Sequence, residues 1–290
     1  MLRKLKEFEY FAPKNIPEAI SLLDQYQGKA KLFAGGTDVL IQMKQRKLIP
    51  EYLIDVKNID GLNYLKYNTD EGLKIGAYVT HGILANSEIV QEKYTALAEG
   101  SLAVGSVQTR NRGTIVGNIC TSSPSADTPP SLIAFDANIK LISIEGERVV
   151  KITDFFLSPF KNCMKENELI TEIQLSDLPP NTGSAYLWLP KITALDETLV
   201  GVGLALTLNN IEEKVCTNIR IGLGSVSPMP MRANNAEEFI KGKSIDDDII
   251  EKAAEIASKE TSPRSRAEYR KEMVSVYVKR ALNKALERIK

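Results

Sequence analysis

The tightest constraint on this chain is a strand that runs without a break into a glycine pair and then a helix. Lys31-Leu32-Phe33-Ala34 is short and apolar, Gly35-Gly36-Thr37-Asp38 follows at once, and Val39, Leu40 and Met43 recur at helical spacing. Without a Cβ, glycine lets backbone N–H groups approach an anion closely, and the helix behind adds the positive end of its dipole. A plain tight turn uses the same residues and is the commoner outcome, so this motif alone leaves both readings open. Neither G-x-G-x-x-G nor G-x-x-x-x-G-K-[ST] occurs, which disfavours Rossmann and P-loop nucleotide binding.

A second loop is more particular. Gln108-Thr-Arg-Asn-Arg-Gly-Thr-Ile-Val-Gly-Asn118, continued by Ile-Cys-Thr-Ser-Ser-Pro-Ser-Ala-Asp127, gathers small residues, hydroxyls, an amide and one carboxylate between two apolar elements. Phosphate oxygens need donors, which Thr114, Asn118, Thr121 and the loop amides supply; a ribose diol needs an acceptor, which Asp127 supplies. A solvated Ser/Thr/Pro loop is the bland alternative.

Around these loops the periodicity predicts a mixed fold. Asn15 caps a helix with Ala19, Ile20, Leu23 and Tyr26 on its buried stripe. Strands are expected at 52–56, 73–77 and 169–175, a hairpin at 139–152, and a long interrupted helical region from Thr80 toward Val104. A helix is expected from Pro130 to Ala137. Ser176-Asp-Leu-Pro-Pro-Asn-Thr-Gly183 reads as a linker. Beyond it a three-strand meander (184–190, 200–208, 215–226) precedes three helices (234–241, 246–259, 266 to the end). With 290 residues, two domains are expected, at 1–178 (lobes about 1–57 and 58–178) and 184–290.

Composition removes several function classes. Thirty-seven basic residues balance thirty-seven acidic ones, which argues against nucleic acid or a membrane surface as partner. One histidine, His81, excludes mechanisms needing two imidazoles; it is read as a structural residue at a helix start. Cys120, Cys163 and Cys216 form no C-x-x-C pair, so no metal-ligand motif is expected and a reducing cytoplasm fits best. The N-terminus mixes charge into its first ten residues, unlike a signal peptide.

Ala34-Gly-Gly-Thr-Asp-Val-Leu-Ile-Gln-Met-Lys44, Gly76-Ala-Tyr-Val-Thr80, the 108–118 loop, Ser123-Pro-Ser-Ala-Asp127 and the C-terminal Ala267-Glu-Tyr-Arg-Lys together resemble the FAD-binding medium subunit of molybdenum hydroxylases. That family includes xanthine dehydrogenase and aerobic carbon-monoxide dehydrogenase. The resemblance implies an α+β fold, a two-lobed vanillyl-alcohol-oxidase (PCMH)-type FAD-binding domain followed by a small meander-plus-helices domain. It implies that amides from Leu32, Phe33, Ala34, Gly35, Gly36, Thr37, Asp38 and Val39 cradle the FAD pyrophosphate. Thr80, Thr114, Gly117, Asn118 and Thr121 would serve the cofactor's other side, Asp127 its ribose, and Ile170 its flavin end.

Further implications concern partners. Substrate would be hydroxylated at molybdenum on a molybdopterin-binding large subunit, and electrons would cross [2Fe–2S] clusters of a small subunit to FAD, then reach NAD, oxygen, a quinone or a protein. No metal site and no catalytic side chain are expected on this chain. A free-standing flavin oxidoreductase of the same fold, or a nucleotide-binding scaffold without redox activity, are the alternatives.

Two positions depart from the family pattern. Val116 stands where Thr-Ile-Gly-Gly-Asn has glycine, a costly exchange if the residue needs positive φ. Trp188, in Tyr186-Leu-Trp-Leu-Pro-Lys191, stands where a lysine is common near the isoalloxazine; Lys191 is expected to take that role.

Overall fold

The computed structural model describes residues 4–191 and 197–289. The N-terminal lobe runs β1 (Glu9–Phe11), α1 (Ile16–Gln25), β2 (Ala30–Phe33), α2 (Val39–Gln45) and β3 (Tyr52–Asp55). Its strands form a parallel sheet in the order β1-β3-β2. Asn15 caps α1 as expected, its Oδ1 accepting from Glu18 N at 2.9 Å. The rings of Tyr26 and Tyr52 stack at 3.9 Å between centroids, and Phe11 lies on Tyr26.

The second lobe begins with β4 (Leu65–Asn68) and β5 (Gly72–Gly76) and continues through a helical run. The interrupted helical region expected from Thr80 consists of α3 (His81–Asn86), α4 (Glu88–Lys93) and α5 (Thr95–Ala103), with breaks where Ser87 and Tyr94 leave helical geometry. Next come α6 (Val107–Arg110), α7 (Ile115–Thr121) and α8 (Thr128–Ala134). α8 starts and stops earlier than the sequence suggests. Its prolines suit the first turn, where no N–H partner is needed, and Asp136 at φ 48 lies beyond its end. The lobe closes with β6 (Asn138–Ser143), β7 (Gly146–Lys151), α9 (Ile152–Phe155), the hairpin β8 (Phe156–Ser158) and β9 (Lys161–Asn162), and β10 (Leu169–Leu175). An antiparallel sheet, β4-β5-β10-β6-β7, organises it.

Past the proline segment, β11 (Thr182–Pro190), β12 (Thr198–Leu208) and β13 (Cys216–Gly224) form the expected meander, extended by the two-residue β14 (Met231–Arg232). α10 (Asn234–Ile240), α11 (Asp247–Lys259) and α12 (Ala267–Glu287) follow. Every residue of β12 is buried, because the sheet is covered on both faces. Val200, Val202, Leu204 and Leu206 pack with Ala253, Val274, Val278 and Leu282 from the terminal helices. On the other face Tyr186 and Ala205 belong to the core of the N-terminal part.

That second face is built from glycine. Gly201 pairs with Gly224 and Gly203 with Gly222 across β12 and β13. A Cβ on Gly203 would stand 2.5 Å from the Pro130 carbonyl carbon, and one on Gly222 2.1 Å from its oxygen. α8 therefore lies against bare backbone, closer than any side chain would permit. Lys284 and Arg288 of α12 tie the same junction from outside: they donate to Glu99 of α5 at 2.8 and 2.7 Å, and Arg288 also reaches the Ser184 carbonyl. Burial raises the Glu99 carboxyl, and the two cations more than reverse this, so its pKa lies below the ordinary value.

Candidate functional site

The two glycine loops meet. The backbone of Gly35 is pressed against Arg112, so that a Cβ at Gly35 would stand 1.9 Å from the Arg112 carbonyl oxygen. Gly36 takes φ 74, and a Cβ there would strike the Phe33 ring at 2.6 Å. The glycine pair is thus required twice, once for close approach and once for a left-handed backbone. Among the described residues, the amides of Gly35, Gly36, Thr37 and Asp38 donate to no carbonyl. A row of unspent N–H groups on a backbone without side chains is what an anion needs.

Loop two is held in place by its own caps. Thr80 and Thr114 face each other in an antiparallel bridge, flanked by His81 N to Gly113 O at 3.0 Å and Ile115 N to Val79 O at 3.2 Å. Thr114 Oγ1 accepts from Gly117 N at 3.0 Å, and Thr80 Oγ1 from Ile83 N at 3.3 Å. Thr121 donates to Asp38 at 3.0 Å, joining α7 to the loop ahead of α2. Asn118 Oδ1 accepts from Thr128 at 2.7 Å, which fixes α7 against α8. The threonines and asparagine expected to serve the cofactor are therefore brought to one junction with residues 34–38.

Asp127 is placed at the start of α8, and its Oδ1 accepts from Tyr186 Oη at 2.8 Å and Thr198 Oγ1 at 2.7 Å. Burial raises its pKa, opposed by those two hydrogen bonds. Trp188 stacks on Tyr186 with 5.8 Å between ring centroids and stands opposite Gly201 in the sheet. Lys191 is exposed beyond the end of β11. Ile170 is enclosed in the core beside a bulge in β10, whose next residue, Thr171, accepts from Ala77 N. Leu32 and Ala34 pack partly on that core as well.

The concern raised by Val116 does not arise in the backbone. Val116 lies inside α7, is not among the residues with positive φ, and is 9 % exposed with its side chain in the core. The left-handed residue here is Ser122, at φ 50. It is supported by Asn162 of the β8–β9 hairpin, which donates to Cys120 O at 3.0 Å and Ser122 Oγ at 3.3 Å. No sequence signal marks Asn162, since the two strands of that hairpin span only five residues between them. Cys120 contacts Met164, and burial pushes its thiol up to about 12, which agrees with a packing role rather than thiol chemistry.

These features fit FAD: unspent amides for a diphosphate, capped hydroxyls beside them, and a buried carboxylate against the sheet behind. Residues 6–177 match the model of the FAD-binding domain in molybdopterin dehydrogenase, and residues 189–285 that of the CO dehydrogenase flavoprotein C-terminal domain. The chain belongs to the FAD-binding medium subunits of the molybdenum hydroxylase family, and its cofactor is FAD. It is 36 % identical to the carbon monoxide dehydrogenase medium chain of Hydrogenophaga pseudoflava, covering 97 % of this chain and 98 % of that one. It is 32 % identical to the glyceraldehyde dehydrogenase medium chain of Sulfolobus acidocaldarius, with 95 % and 97 % covered. Among solved structures, the carbon monoxide dehydrogenase of H. pseudoflava that lacks the Mo-pyranopterin moiety superposes with a TM-score of 0.93 at 35 % identity, over 99 % of this chain and 100 % of the other. Reconstituted CO dehydrogenase from Oligotropha carboxidovorans gives 0.93 at 30 % identity, over the same shares.

Proposed function

We propose that this chain is the electron-transfer subunit of a multi-subunit molybdenum hydroxylase, receiving electrons from [2Fe–2S] clusters of a small subunit and passing them to a terminal acceptor. When bound, FAD supplies the redox chemistry, exchanging single electrons with clusters and one or two with an acceptor. The observation that carries the reading is the junction of Gly35 with Arg112 beside four unspent amides, within a chain similar to hydroxylase medium subunits along its whole length.

In this assignment residues 32–39 hold the diphosphate through backbone amides, with Thr114, Gly117, Asn118 and Thr121 on its other side and Thr80 behind them. Asp127 accepts from a ribose hydroxyl through Oδ2, since its two protein bonds both fall on Oδ1. Ile170 and Lys191 belong to the flavin end. The functional units are the FAD clasp, 1–178, and the C-terminal domain, 184–290. Three free cysteines suit a reducing cytoplasm. The test is co-expression with candidate large and small subunits encoded beside it. Recovery of one complex holding FAD on this chain supports the proposal; a yellow chain that binds neither subunit contradicts it.

A further inference from the structure

We propose that the buried hydroxyl of Thr128 is a positioning group for the cofactor, fixing the amide of Asn118 so that its NH2 end is presented to the diphosphate of bound FAD. The inference rests on the two glycine loops holding that group. On α7, Thr121 stands four residues from Gly117 and three from Asn118, and Thr114 stands three and four from the same pair, so all four share one face. Ile115, Val116 and Ile119 turn the other way and are buried in the core. The bond from Thr121 to Asp38 shows where the first face looks, toward residues 34–38 and their unspent amides. Asn118 stands on that face, half-buried, beside a Gly117 that has no side chain to cover it.

An asparagine amide can be set either way round, and the two settings offer opposite chemistry to a ligand. Thr128 decides between them. It is fully buried at the first position of α8, and its Oγ1 donates to Asn118 Oδ1 at 2.7 Å. The amide oxygen is thereby spent, whereas Nδ2 has no partner among the described residues and is not sealed from solvent. Turning the amide over costs twice. The buried Thr128 proton would lose the acceptor it now has, and the amide oxygen would face a diphosphate, which offers only acceptors. With the oxygen anchored, both N–H bonds of the amide remain for phosphate oxygens. The residue before Thr128 is Asp127, itself fixed by Tyr186 and Thr198. Two adjacent residues at the head of α8 thus set an amide donor and a carboxylate acceptor for one ligand.

A double-mutant cycle in the full chain, with FAD affinity measured by calorimetry, separates this role from simple bracing of α7 on α8. Thr128→Val keeps the shape and loses the hydroxyl, and is expected to bind FAD about tenfold more weakly. Thr128→Ser, which keeps the donor, is expected to retain most of the affinity. In an Asn118→Ala chain, itself weakened, Thr128→Val is expected to cost nothing further. Parent-like affinity in the folded Thr128→Val variant overturns the proposal. So does a loss of the same size in the Asn118→Ala background, which would make Thr128 a brace alone. NMR of the parent stands even where the valine variant fails to fold. The side-chain NH2 signals of Asn118, identified by their loss in Asn118→Ala, are expected to shift with FAD and not with riboflavin, which has no diphosphate. Unchanged signals in a chain that calorimetry shows to hold FAD overturn the proposal and leave FAD binding intact, and an equal shift with riboflavin also overturns it. A parent chain with no affinity for FAD overturns the proposal together with the reading beneath it.

Discussion

Tyr186 Oη donates to Asp127 Oδ1 at 2.8 Å, joining the first turn of α8 to the C-terminal sheet. Both groups are enclosed, and burial raises the Tyr186 pKa well above its usual value, so the phenol remains a donor at any physiological pH. In the proposed assignment of Asp127 to the ribose, this bond makes the C-terminal domain part of the cofactor site, because a residue from β11 holds the carboxylate in place.

Replacing Tyr186 with Phe leaves a buried carboxylate with one partner fewer. The expected cost is about 1 to 3 kcal/mol of stability, with weaker FAD retention. Chemical denaturation with and without FAD measures both; unchanged values for the variant in both states would remove Tyr186 from the site.

The glycine pairs make a graded prediction. Gly203→Ala and Gly222→Ala place a methyl against the Pro130 backbone and are expected to destabilise the chain by about 1 to 3 kcal/mol each, or more if α8 cannot move. Gly224→Ala meets the edge of the Pro130 ring at 2.9 Å and should cost less. Thermal melts of the three variants give the ranking, and a Gly224 variant worse than the other two would contradict the packing described.

Gly35→Ala is expected to abolish FAD binding while leaving most of the fold, because its methyl collides with Arg112 O and must part the two loops. Circular dichroism and cofactor content after reconstitution separate the two effects. A well-folded variant that retains FAD would show the seam to be dispensable.

Periodicity and capping made the long elements readable, and short-range chemistry was enough for α1, the β6–β7 hairpin and the meander. β1, β8, β9 and β14 escaped because strands of two or three residues have no period, and their existence is decided by a partner remote in the chain. Glycines 201, 203, 222 and 224 could be seen within strands, but their purpose depends on α8 lying against them, a contact that no local pattern predicts. Nothing local in the sequence pairs Lys284 and Arg288 with Glu99, which lies on α5 far away in the chain, and only the fold brings them together. The site was legible as two loops; their meeting at Gly35 required the fold.

His81 also predicts how stability varies with pH. In the folded cofactor-free chain its pKa is lowered from 6.5 to about 4, so on acidification the unfolded state takes up a proton before the native state does. Its contribution is present in full above pH 6.5, declines as pH falls toward 4, and amounts to a loss on the order of 3 kcal/mol. Denaturant titrations across this window, repeated with His81→Leu, isolate the effect. A variant that keeps the parent's slope between these limits would assign the proton uptake to other groups.

The proposed electron delivery through FAD on this chain is measured directly in an anaerobic experiment. The FAD-loaded chain, assembled with its iron–sulfur subunit, is mixed with enough reductant to reduce the clusters, and the flavin absorption band is followed with time. The band is expected to bleach after the clusters are reduced and to return when an acceptor is added. A flavin that stays oxidised beside fully reduced clusters would contradict electron delivery through FAD.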